Sequence, residues 1–81
     1  MSVIGPVEFY MTVGCGLCDE AMAMLQPIAQ RLAIDVQVRD VLDDPDWETR
    51  YGVRIPVLRR GDTGAEIGWP FDDAALYRFL L

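Results

Sequence analysis

The chain has 81 residues, 52% of them hydrophobic, with 13 acidic and 7 basic side chains and a net charge of −6. All seven cations are arginine; there is no lysine and no histidine. An acidic surface of this kind has nothing to displace counterions from nucleic-acid phosphate, and the missing side chains exclude a Cys–His nucleophile pair, a histidine-bearing zinc site and lysine Schiff-base chemistry.

What remains for reactivity is sulfur and carboxylate. The length predicts one small domain over residues 1–81, apolar enough for a core but of modest stability. No apolar run approaches the roughly 18 residues needed to cross a bilayer. The opening Met1-Ser2-Val3-Ile4-Gly5-Pro6 has no basic residue and no long apolar stretch, so no secretory signal is expected, and the expected compartment is the cytoplasm.

In chain order, Val3 to Met11 is the first strand candidate, and Pro6 moves its proper start to about Val7. Thr12-Val13-Gly14 forms a loop. From Cys15 onward Leu17, Ala21, Met24, Leu25, Ile28 and Leu32 recur at a helical period, with Asp19 and Glu20 in the first turn. Pro27 lies inside this pattern and predicts a kink or an early end. Asp35 to Asp40 alternates and reads as a second strand. Asp44 and Pro45 open a short helix ending at Tyr51-Gly52, with Gly52 as a left-handed terminator. Trp47 and Tyr51 would pack that helix onto the sheet. Val57–Arg60 and Ala65–Gly68 flank the turn Gly61-Asp62-Thr63-Gly64 and read as a hairpin. Asp72 caps a last helix, Asp73 to Leu80. The order βαβαββα predicts an α/β fold with parallel first strands, an antiparallel hairpin and helices on both faces.

The chemistry-bearing feature is Cys15-Gly16-Leu17-Cys18 at the first strand-to-helix switch. The spacing lets the two sulfurs join with little backbone movement, at a place where unpaired helix N–H groups stabilise a thiolate. Cys15, nearer the helix start, would be the nucleophile, and Cys18, inside the first turn, would resolve the mixed disulfide. The alternatives are two inert core cysteines, or half of a metal site that needs a second chain or an external thiol to complete it. Ile55-Pro56, just before a strand, is a candidate cis peptide that would leave the Ile55 backbone N–H and C=O free for an extended substrate; an ordinary trans proline is the alternative. Arg54 would favour the Cys15 thiolate or bind a substrate carboxylate if it lies beside that sulfur, and is otherwise a solvated cation. Asp19 and Glu20 act in the opposite sense. Tyr10 and Met11 close the first strand beside the site, with core packing as their default. Trp69 offers an apolar platform, while Phe71 reads as core and Asp72 as a helix cap.

With these residues in place, the chain resembles the glutaredoxin-like branch of the thioredoxin superfamily. The matching pieces are Val7–Met11, Thr12-Val13-Gly14-Cys15-Gly16-Leu17-Cys18, Arg54-Ile55-Pro56-Val57 and Gly68-Trp69-Pro70-Phe71-Asp72, and the likeness is greatest to small bacterial glutaredoxin-like proteins with Trp-Pro-Phe before the last helix. The resemblance implies a four-stranded mixed sheet of the thioredoxin type, a cis Pro56 facing the disulfide, Cys15 as nucleophile and Cys18 as resolving thiol. Glutaredoxins usually carry Pro-Tyr where Gly16-Leu17 stands, a lysine in the stretch occupied by Thr12 and Val13, and a Gly-Gly glutathione loop where Gly68-Trp69-Pro70-Phe71 stands. The expected function is thiol–disulfide oxidoreduction. Arg54, Ile55, Pro56, Trp69 and Asp72 form the candidate substrate-binding set. No cofactor or metal is expected, with glutathione or a reductase as the reductant. A disulfide-bearing protein or small molecule is the expected partner, nucleic acid and membrane are not, and a monomer is expected. The competing readings are a module that holds a metal or bridges an iron–sulfur cluster, and a domain that docks partners through Trp69 and Phe71.

Overall fold

The structure is a computed structural model that describes residues 4–81. Val3, at the start of the first strand candidate, lies outside the described residues, as do Met1 and Ser2 of the opening segment. The first strand proper, β1, runs Val7–Met11, followed by helix α1 (Gly16–Arg31), strand β2 (Val36–Asp40), a single 3₁₀ turn (Val41–Asp43), helix α2 (Pro45–Tyr51), the hairpin strands β3 (Val57–Arg60) and β4 (Glu66–Gly68), and helix α3 (Asp73–Leu80). The sheet order is β2-β1-β3-β4. β1 is parallel to β2, with Val7 opposite Val36, and antiparallel to β3, with Tyr10 opposite Val57. β4 closes the edge antiparallel to β3, with Val57 opposite Gly68.

Side chains alternate across the pleat, and each face has its own core. On one face Val7, Phe9 and Leu58 meet Cys18, Ala21, Leu25 and Ile28 of α1 and Leu76 and Leu80 of α3. On the other, Tyr10 and Val57 meet Val41 and Tyr51, with Trp47 packed against them. Tyr10 stacks on Tyr51 at 4.1 Å between ring centroids and meets the edge of Trp47 at 5.8 Å. Two aromatic residues of α2 thus dock this short helix onto the sheet.

Two helix ends differ from the sequence expectation. α1 does not stop at Pro27 but continues to Arg31. The proline sits on the exposed side of the helix. Burial of Ile28 and Ala29 just after it offsets the one hydrogen bond that the ring removes. Leu32 caps the helix and Ala33, a non-glycine residue at φ 56°, then turns the chain away. Gly52 is not left-handed; its φ is −52°. Its small size has a different reason: a Cβ there would lie 2.5 Å from the Glu48 carbonyl oxygen. The chain continues to coil past it, because the N–H groups of Arg54 and Ile55 both donate to the Tyr51 carbonyl, at 2.7 and 2.9 Å. The 3₁₀ turn after β2 is an addition to the expected elements; Asp40 opens it by accepting from the Leu42 N–H at 2.9 Å.

α3 is held at both ends. Asp72 Oδ1 accepts from the Ala75 N–H at 2.8 Å, while Arg60 donates to the Phe79 carbonyl at 2.9 Å. The cation at the C-terminal turn also suits the helix dipole.

Candidate functional site

The strand register places the reactive loop. The C-terminal end of β1, the start of β3 and the end of β4 lie at the same end of the sheet. Thr12–Cys15 leaves that end from β1, Pro56 enters it before β3, and Trp69 leaves it after β4. Two bonds fix the arrangement. Thr12 Oγ1 donates to Asp40 Oδ1 at 3.1 Å, tying the loop to the end of β2. The Trp69 N–H donates to the Pro56 carbonyl at 3.1 Å.

Gly14, at φ 82°, turns the chain from the loop into α1, a conformation that L side chains rarely adopt. Cys15 follows as the N-cap residue, with extended backbone, and its Sγ accepts from the Cys18 N–H at 3.1 Å. A serine or aspartate oxygen normally fills this role; here sulfur does. Cys15 and Cys18 are joined in a disulfide, their Cα atoms 5.2 Å apart. Cys18 is 2% exposed and belongs to the core under α1, whereas Cys15 is half-buried and Gly16 and Leu17 between them are exposed. Cys15 is therefore partly open to solvent, while Cys18 lies beneath it.

The candidate substrate-binding residues divide. Pro56 is buried and its bond to Ile55 is cis, as is the bond between Trp69 and Pro70. Trp69 is half-buried and meets the edge of Phe71, with centroids 5.1 Å apart. These two residues, with Ile55, stand at the same sheet end as the cysteines. Ile55 corrects the expectation of a free backbone pair: its N–H is already bound to the Tyr51 carbonyl, because the chain makes an extra tight turn after α2. Arg54 is a second correction. Its guanidinium pairs with Glu66 at 3.3 Å, donates to the Arg50 carbonyl at 3.4 Å and lies 5.6 Å from the Tyr51 ring centroid. It is thereby committed to the α2 side of the sheet rather than to Cys15. The carboxylate of Asp72 caps α3.

The α2 face carries a charge pattern that reading each residue alone does not reveal. Arg39 on β2 pairs with Glu8 on β1 at 3.5 Å, Glu8 with Arg59 on β3 at 3.2 Å, and Arg59 with Glu66 on β4 at 3.9 Å. Arg54 ends the chain, and Tyr51 donates to Glu66 at 2.6 Å. Each strand contributes one charged side chain to this face, but only the strand order shows that they meet. Burial pushes the Tyr10 hydroxyl up to about 12, aided by the Glu8 carboxylate. Burial also raises that of Tyr51, together with its hydrogen bond to Glu66. Among the described residues, no cluster of three or more cysteine, histidine or carboxylate side chains is assembled as a metal site.

A family model described as a glutaredoxin-like domain (DUF836) matches residues 6–81. The chain belongs to the glutaredoxin-like domain family. A crystal structure of the protein XcR50 from X. campestris is 36% identical, with a TM-score of 0.75 over 91% of this chain and 93% of that one. The solution structure of Ne2328 from Nitrosomonas europaea superimposes with a TM-score of 0.81 at 21% identity, covering 100% of this chain and 96% of the other. Thioredoxin 1 from Thermosipho africanus TCF52B gives 0.67 at 22% identity, covering 93% of each chain. At these lower identities the likeness is one of fold: this glutaredoxin-like domain has the α/β thioredoxin-like fold expected from its order of elements. No curated protein matches the chain.

Proposed function

We propose that this glutaredoxin-like protein is a thiol–disulfide oxidoreductase that cycles Cys15 and Cys18 between dithiol and disulfide. The observation that carries the reading is half-buried Cys15 at the N-cap of α1, its sulfur hydrogen-bonded by the Cys18 N–H and joined to a buried Cys18. In the reduced protein the same N–H, with the helix end behind it, favours the thiolate at Cys15. That thiolate attacks one sulfur of a substrate disulfide; the substrate S–S bond breaks, a mixed disulfide forms, and the first substrate thiol leaves with a proton from solvent. Cys18, as thiolate, then attacks the Cys15 sulfur. The internal disulfide closes and the second substrate thiol leaves, so two electrons pass from the protein to the substrate. The Ile55 carbonyl, beside Pro56, is the backbone group left to align an extended substrate. Reduction of Cys15–Cys18 by glutathione or a reductase completes the cycle, in the cytoplasm and in a monomer.

A redox titration in glutathione buffers, read by mass spectrometry, tests this. The pair should pass reversibly between dithiol and disulfide. Cys15→Ser should abolish disulfide reduction, and Cys18→Ser should accumulate mixed disulfides on Cys15. A Cys15→Ser protein that reduces disulfides at the original rate overturns the assigned roles.

A further inference from the structure

Exposed apolar side chains gather at the cysteine end of the sheet, and the charges that directly follow the cysteine pair in the chain are acidic. Among the described residues, six large apolar side chains stand exposed. Four of these belong to the segments that meet at the cysteine end of the sheet: Val13 at 83%, Leu17 at 49%, Val53 at 100% and, in the turn after β2, Leu42 at 67% exposure. Val13 and Leu17 bracket Cys15 in the chain, and Val53 lies in the turn leading to Pro56. Half-buried Ile55 and Trp69 stand at the same end. Scattered apolar residues need no explanation, but a group at the one end of the sheet that carries the cysteine pair marks a surface that a partner covers.

The charges say which partner. Glutathione is a net anion, and its carboxylates are best held by cations. Here the chain has no lysine or histidine, and Arg54 is taken by Glu66 and Tyr51. The first charged residues after the cysteine pair are Asp19 and Glu20, both exposed in the opening turn of α1. With the Ile55 N–H bound to Tyr51, the backbone beside Pro56 offers an acceptor but not that donor.

We propose that this site takes disulfides held in apolar, arginine- or lysine-bearing segments of other proteins, in preference to glutathione disulfide. The proposal rests on the thiol–disulfide reading above. Apolar flanks bury Val13, Leu17 and Val53, and the cations meet Asp19 and Glu20. The bond exchange is the one already described: the substrate disulfide gains two electrons and leaves as two thiols, while Cys15 and Cys18 become the disulfide.

Single-turnover kinetics separate the two claims. The full chain is reduced with dithiothreitol, freed of it, and mixed anaerobically with one of four oxidants, and its oxidation is followed by quenched mass spectrometry. The oxidants are glutathione disulfide, hydroxyethyl disulfide, a leucine-rich peptide disulfide carrying arginines, and the same peptide with glutamates in their place. The arginine peptide should react at least about tenfold faster than glutathione disulfide. It should also outrun the glutamate peptide by a margin that shrinks as salt is added. Val13→Ser with Val53→Ser should slow the arginine peptide about tenfold, whereas Leu81→Ser, an exposed apolar residue past α3 at the opposite end of the sheet, should not. Asp19→Asn with Glu20→Gln should narrow the arginine-over-glutamate preference. If glutathione disulfide matches the arginine peptide, or the two peptides react alike, the substrate inference is overturned and the oxidoreductase reading stands. If none of the four oxidises Cys15 and Cys18, the oxidoreductase reading itself fails.

Discussion

At the scale of single residues, the molecule assigns sulfur a place that polar caps usually hold. Cys15 caps α1 through its Sγ, so the sulfur that joins Cys18 also satisfies a backbone N–H at the helix start. The aromatic residues on the opposite face show how burial governs titration. Tyr10 and Tyr51 keep their protons more tightly in the folded protein, Tyr10 to about 12, because burial and the neighbouring Glu8 and Glu66 carboxylates disfavour the phenolate. An unfolded tyrosine ionises near 10. Above that pH the unfolded chain binds fewer protons than the folded one, so stability is intact below about pH 10 and falls as pH rises toward 12. For Tyr10 each pH unit in that window removes up to ~1.4 kcal/mol, and Tyr51 acts in the same direction. Urea titrations between pH 9 and about 11.5 should show this loss, and Tyr10→Phe should shrink it.

At the scale of elements, the termini of α1 show different strategies. Its start is built around the reactive pair. Its end is a left-handed closure in which the Ile34 N–H donates to the Ala29 carbonyl at 2.9 Å and the Ala33 N–H to the Gln30 carbonyl at 3.3 Å. Glycine is the usual occupant of the position held by Ala33, since a Cβ at positive φ crowds its own backbone. Ala33→Gly should therefore raise the free energy of unfolding by about 0.5–1 kcal/mol, despite the added freedom of the unfolded chain. A matching rise in the urea midpoint would show it, and a fall would contradict this account. The positive φ was not legible in the sequence, because alanine carries no turn signal. Pro27 misled in the other direction, since the packing of the following turn outweighed a local preference.

At the scale of the whole molecule, three helices cover a four-stranded sheet with a radius of gyration of 11.8 Å, close to the ~11.7 Å expected for a compact chain of this length. The two faces are unequal. The α1–α3 face is apolar; the α2 face combines an aromatic stack with ion pairs reaching from β2 to β4. Glu8 is central, with an arginine on either side. Glu8→Gln leaves Arg39 and Arg59 facing each other across the middle of the sheet, and should cost about 1 kcal/mol at low ionic strength, less in salt. Paired urea titrations at low and high salt should show a deficit that shrinks with added salt.

The order of elements, the helix caps at Asp44 and Asp72, the hairpin and the Cys15–Cys18 pair were all legible along the chain, because each depends on neighbours within a few residues. Hydrophobic period, turn residues and capping side chains act locally, and they sufficed for the fold and for the reactive atoms. What the chain alone could not decide was which groups those atoms face. Arg54 precedes Pro56 in sequence, yet Glu66 arrives from the next hairpin strand and takes it; the Ile55 N–H is lost to a turn around Tyr51. Such outcomes depend on segments brought together by strand pairing, and no local preference encodes a partner twelve residues away. Residue chemistry thus determined which groups this chain brings to the end of its sheet, while tertiary packing decided which of their charges and backbone groups are already paired.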